Sequence, residues 1–228
     1  MNALDLYAKI EPLIGFYDEY EKLYDEYICI LKSLHVETIL DIGCGNGKFL
    51  SRLKDTKFRA KGIDRSSEMI KIATLLGVEA DKIELKDIEE QFCCATAIGD
   101  VLNYISKTDL RDFFSDLKSV LKKGGYFLAD INTLSGFKDV ADGLFLKDTE
   151  DKFLAIDADF QNTILTTKIT LFEKDDKYYK KFSDAILQYY HDIETFQNIE
   201  GFELIRSFDI SMFGDFDKRI LLLHQTIS

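Results

Sequence analysis

Residues 39–47 read ILDIGCGNG, an apolar run of strand character that closes on Asp41 and turns through Gly43, Gly45 and Gly47 into a helical stretch. Glycine takes a positive φ without a Cβ penalty and lets bare backbone approach a ligand or a neighbouring helix. Read alone, such a run is either an ordinary turn or the wall of a small-ligand site. The surrounding sequence has to decide between them.

Downstream, the pattern alternates. A helix is expected over 48–54, then a strand over 58–64 that ends on a second carboxylate, Asp64. Ser66 or Ser67 can cap a helix carrying Met69, Ile70, Ile72, Ala73 and Leu76, which stops at Gly77. A short third strand over 82–85 leads to Lys86, Asp87 and Ile88, and a fourth over 92–98 is bounded by Gly99 and Asp100. Thr108 can cap a helix with Leu110, Phe113, Phe114, Leu117, Val120 and Leu121 on one face, terminated at Gly124-Gly125 and followed by a strand over 126–131. Strand, helix, strand repeated with short connections implies a parallel sheet covered by helices on both faces.

Upstream, residues 16–34 place Phe16, Tyr20, Leu23, Tyr24, Tyr27, Ile30, Leu31 and Leu34 at helical spacing; Tyr17 and Tyr20 lie where that helix could cover a ligand. Beyond residue 145 the pattern changes to three strands, 153–160, 163–173 and 178–190, that read as an antiparallel insertion. A short helix over 192–199 and strands over 202–208 and 219–225 complete the chain. The expected fold class is therefore α/β: a Rossmann-like, mostly parallel seven-stranded sheet with helices on both faces, plus a small antiparallel β insertion. Residues 1–142 and 191–228 would form the core, and 143–190 the insertion.

A formal charge of −12 over 228 residues disfavours nucleic acid and anionic lipid as partners, because both are bound through Lys and Arg. No run approaches the ~20 apolar residues needed to span a bilayer, and the first residues lack the layout of a secretory signal, so a cytoplasmic location is expected. The four cysteines, Cys29, Cys44, Cys93 and Cys94, form no CxxC pair and no metal-like group with the three histidines. They read as small buried apolar residues, with no metal.

Strand one ends in Asp41 and the glycine turn, strand two in Asp64, strand three in Asp87 and strand four in Gly99-Asp100. In an open parallel sheet the carboxyl ends of neighbouring strands line one crevice, so these groups converge. A carboxylate at the end of strand two suits a ribose diol, since it can accept two hydroxyl hydrogen bonds.

With those residues in place, the chain resembles a class I S-adenosylmethionine-dependent methyltransferase. The resemblance rests on ILDIGCGNG, on GIDRSSEMI at 62–70 and on LKKGGYFLADINT at 121–133, which cover most of 35–133; QYYHDIETFQNIEGFELI at 188–205 is similar to a small-molecule subgroup with a sheet inserted after strand five to cover the active site. The resemblance implies S-adenosyl-L-methionine as cofactor and S-adenosylhomocysteine as product. It implies that Gly43, Cys44 and Gly45 adjoin the methionine part with Asp41 near its amino group, that Asp64 binds the ribose, and that Arg65 and Met69 flank the adenine. Asp87 and the Ile88 amide would read the adenine edge, and residues 98–104, starting at Ile98, would lie beside the sulfonium.

Methyl transfer is an in-line displacement that mainly asks for alignment and exclusion of water. A base is needed only where the acceptor still carries its proton; His191, Tyr104 and Asp100 are the candidates by type and position. The expected reaction is methylation of oxygen or nitrogen on a small molecule, by a monomer or homodimer. Two alternatives stay open: an NAD-dependent oxidoreductase, although position 48 is Lys where a dinucleotide fingerprint wants its last glycine, and a non-catalytic cofactor-binding protein of the same fold.

Overall fold

A computed structural model describes residues 2–15, 17–140 and 143–227, which places Phe16, the side chain of Tyr17 and the expected boundary at 142 outside the described residues. Its helices are α1 (Ala3–Ile14), α2 (Tyr17–Ser33), α3 (Lys48–Leu53), α4 (Ser67–Leu75), α5 (Leu110–Val120), α6 (Leu134–Val140) and α7 (Ile193–Gln197). Its strands are β1 (Thr38–Ile42), β2 (Arg59–Ile63), β3 (Ala80–Asp81), β4 (Phe92–Ala97), β5 (Leu121–Asn132), β6 (Gly143–Asp148), β7 (Lys152–Gln161), β8 (Ile164–Asp175), β9 (Tyr178–Tyr189), β10 (Phe202–Ile210) and β11 (Lys218–Gln225). Two 3-10 turns, Leu85–Asp87 and Val101–Tyr104, follow β3 and β4.

The main sheet has seven strands in the order β10-β11-β5-β4-β1-β2-β3. Neighbours from β3 to β5 run parallel, and β11 runs antiparallel to both β5 and β10. The order reverses between β1 and β4, so the crevice of the sheet opens at the carboxyl ends of those two strands. One face packs Phe114, Leu117, Phe127 and Phe196, and the other packs Leu23, Tyr27, Leu31, Phe49 and Leu128.

Several expectations are corrected. α1 was not foreseen: its helix is opened by the Asn2 side chain, which accepts from the Asp5 amide, carries Pro12 near its end and is closed by left-handed Gly15. α5 stops at Val120 rather than at the glycine pair, which instead lies inside β5 at a shift of its register with β4. Asp109, not Thr108, precedes α5 and gives no side-chain cap. β3 is two residues long and earlier than expected.

The insertion has four strands, in the order β6-β7-β8-β9, rather than three. β6 was missed because every residue in it is exposed, so no burial alternation marks it. α1 lies against β8 and β9 and shares with them a separate apolar cluster that includes Leu6, Ile10, Leu154, Ile169 and Leu171. Of the cysteines, only Cys44 and Cys94 are buried, whereas Cys29 is exposed and Cys93 half-buried beside the Thr38 hydroxyl. Among the described residues, no helix is long and apolar enough to cross a membrane and no group of three or more His, Cys, Asp or Glu is placed to hold a metal.

Candidate active site

The turn after β1 is held by its own backbone. Cys44 donates to the Ile63 carbonyl at 3.0 Å, and the Gly45 amide donates to Asp64 Oδ2 at 2.9 Å. At Gly43, φ is +69° and a Cβ would stand 2.8 Å from Val101 Cγ2, so both conformation and space require glycine. Asp64 Oδ1 also accepts from the Ser66 amide at 2.7 Å, while Ser66 Oγ caps α4 by accepting from the Met69 amide. Burial pushes the Asp64 carboxyl up, opposed by these backbone donors. A carboxylate offers about four acceptor sites, so acceptor capacity remains beside these backbone donors and suits a pair of ligand hydroxyls.

From this turn a cleft of about 710 Å³ runs on past the end of β4 and beneath the inserted sheet. Gly43, Cys44, Gly45, Asp64, Arg65, Met69, Ile98, Asp100 and Tyr104 all line it, so the structure brings together most of the residues singled out in the sequence. Arg65 is exposed and pairs with Glu84 at 2.9 Å.

Four candidates are placed otherwise. Asp41 is sealed under the turn, where Thr96 Oγ1 donates to it at 2.7 Å and burial pushes its carboxyl up to about 7. Asp87 and Ile88 do not line the cleft; the Ile88 amide is spent on the Leu85 carbonyl at 3.2 Å, and Ile83, Glu84 and Leu85 form that wall instead. His191 is buried away from the cleft, its Nε2 lying 3.2 and 3.0 Å from the carbonyls of Leu102 and Ile105 and its ring edge-on to Phe196. Burial lowers its pKa, and its ring latches the turn after β4 through those two carbonyls.

The end of the cleft beneath the inserted sheet holds groups that the sequence did not single out. Lys218, at the start of β11 and fully buried, donates to Asp100 Oδ1 at 2.8 Å and Asp130 Oδ2 at 2.9 Å. Asp130 also accepts from the amides of Gly99 and Asp100 and from the Tyr27 hydroxyl, which pins the turn. Gln188, on β9, donates to Asp100 Oδ2 and so ties the inserted sheet to the core. Burial pushes the Asp100 carboxyl up and Lys218 opposes it. Tyr20 and Tyr104 face the same carboxylate, and burial holds both phenols well above their usual range, so they are neutral hydrogen-bonding groups at physiological pH.

Comparison with known proteins agrees with this geometry. Residues 39–125 match the family model described as Methyltransferase domain. "Putative methyltransferase YqeM" of Bacillus subtilis (strain 168) is 30% identical over 154 residues, 60% of this chain and 62% of that protein, so the aligned stretch spans under two thirds of the relative. An S-adenosylmethionine-dependent methyltransferase from Clostridium acetobutylicum ATCC 824 superposes with a TM-score of 0.75 at 22% identity, covering 97% of this chain and 96% of that one. The sugar N-methyltransferase KedS8 from Streptoalloteichus sp. ATCC 53650 gives a TM-score of 0.73 at 15% identity, over 98% and 92% of the two chains. Residues 39–125 thus resemble a methyltransferase domain, and the chain built around them has the fold of the S-adenosylmethionine-dependent methyltransferase from Clostridium acetobutylicum ATCC 824.

Proposed function

We propose that this chain transfers the methyl group of S-adenosyl-L-methionine to nitrogen or oxygen of a small molecule. The observation that carries the reading is one continuous cleft that joins the glycine turn and Asp64 to a chamber between the turn after β4 and the inserted sheet. Asp64 would bind the ribose hydroxyls, Gly43, Cys44 and Gly45 the methionine chain, and Met69 with Arg65 the adenine, whose edge Asp87 and the Ile88 amide could meet only if that turn shifts. Bound there, the cofactor supplies a methyl group activated on sulfur.

The chain's own work is to hold the acceptor in line and keep water out, which can supply about 7–11 kcal/mol. Ile156, Ile169 and Ile186 give the inserted sheet an apolar underside for this. Where the acceptor carries a proton, Asp100 is the group to take it, because Tyr104 stays protonated and His191 lies outside the cleft. In this reading 143–190 covers the acceptor, the protein acts in the cytoplasm as a monomer or homodimer, and an amino sugar is a candidate substrate, since KedS8 methylates sugar nitrogen.

Calorimetry with S-adenosylmethionine and S-adenosylhomocysteine, followed by assay of S-adenosylhomocysteine release over a panel of amines and alcohols, tests the proposal. Binding of both nucleosides with turnover of at least one acceptor supports it. Binding without turnover across the panel favours a non-catalytic binder, and absence of binding removes the reading.

A further inference from the structure

At the end of the cleft beyond the glycine turn, α1 crosses the loop. Glu11 on this helix takes the Asn46 side-chain amide at 2.9 and 3.1 Å on its two carboxylate oxygens, and Asn46 Oδ1 accepts from the Lys48 amide at 3.1 Å. Glu11, Asn46 and Lys48 line this end together with Tyr24. Burial raises the Glu11 pKa and lowers that of Lys48, and each charge favours the ionised form of the other. A half-buried carboxylate is costly unless a partner returns the lost hydration, and at Glu11 the Asn46 amide returns part of it.

Opposite charges on two walls of one cleft end are complementary to a group that carries both signs on one carbon, the zwitterionic head of an α-amino acid. Asp41, the carboxylate expected there, is sealed beneath the turn, whereas Glu11 lines the cleft beside Asn46 and Lys48. We infer that Glu11 and Lys48 form a clamp for the amino-acid head of the cofactor, Glu11 taking its ammonium and Lys48 its carboxylate. The inference rests on S-adenosylmethionine being the cofactor. It makes α1 part of the binding site: Asp5 on the same helix accepts from Ser66 Oγ at 2.7 Å, so the helix is held at both ends of the cofactor half of the cleft.

Calorimetry on the full chain tests the clamp with three probes: S-adenosylhomocysteine, 5′-methylthioadenosine, which keeps the nucleoside and loses the amino-acid head, and decarboxylated S-adenosylmethionine. Glu11→Gln should weaken S-adenosylhomocysteine about tenfold or more, as expected for a charged hydrogen bond, and leave 5′-methylthioadenosine unchanged. Lys48→Met should weaken S-adenosylmethionine by a similar factor and leave its decarboxylated form unchanged. An equal loss for 5′-methylthioadenosine means that α1 has only been displaced, and unchanged S-adenosylhomocysteine affinity means that Glu11 touches no head group; either overturns the clamp. Should Glu11→Gln fail to fold, the Lys48 arm decides alone. Failure of the wild-type chain to bind any of the three overturns the functional reading itself, a distinct outcome.

Discussion

The two ends of the cleft are made by different means. The glycine-turn end is largely backbone and local: β1, its glycine turn, β2 and the cap of α4 lie within residues 38–69, and Asp64 is fixed by amides nineteen and two residues away. The end beneath the inserted sheet is side chain and remote: Asp100 meets Lys218 across 118 residues and Gln188 across 88. The contrast separates a conformation that short-range sequence can specify from a charge cluster that only the folded chain assembles.

The largest effect should come from breaking the remote end. Lys218→Met strands the Asp100 and Asp130 carboxylates without their counter-ion, and urea unfolding should show a loss of about 3–5 kcal/mol. Cofactor affinity should change far less in that variant, and a parallel loss would show that the two ends are one unit.

Asp41 tests the local end through pH. Its carboxyl is pushed up to about 7 in the fold by burial, against roughly 3.9 in an unfolded chain. Between those values the folded state keeps a proton that the unfolded state has released, so this residue's contribution to stability is full below the lower value and is lost as pH rises through the upper one. Asp41→Asn cannot ionise, and thermal unfolding from pH 4 to 8 should show a flatter profile than wild type, by up to ~1.4 kcal/mol per pH unit.

Gly47→Ala asks how rigid the turn is. With φ at +77° and a Cβ that would meet Ala73 Cβ at 2.8 Å, the change should cost about 2–3 kcal/mol in urea unfolding. A cost below about 0.5 kcal/mol would mean that the seat of α3 is adaptable. Asp64→Ala sharpens the contrast on the binding side, with an expected loss of cofactor affinity of about tenfold to a hundredfold by calorimetry and no change in the Asp100–Lys218 cluster.

Legibility in the sequence followed the same division. The parallel strands, the positive-φ glycines and the Ser66 cap were readable because each is a property of a few consecutive residues. α1 went unread, and β6 was hidden by an edge position at which every residue is exposed. His191 attracted a catalytic reading by residue type, yet its ring serves two backbone carbonyls that nothing near it in the chain announces. Lys218 was passed over because a single lysine opening an apolar strand looks like any solvated strand end.

By itself, then, the sequence determined the βαβ order and the glycine turn that shapes one end of the cleft, because φ preference, capping and hydrophobic period act within a few residues. Tertiary structure alone decided which charges face the cleft. Asp41 went under the turn, Glu11 came over it, and Lys218 was drawn between two aspartates, since burial and electrostatic partnership depend on what lies near in space.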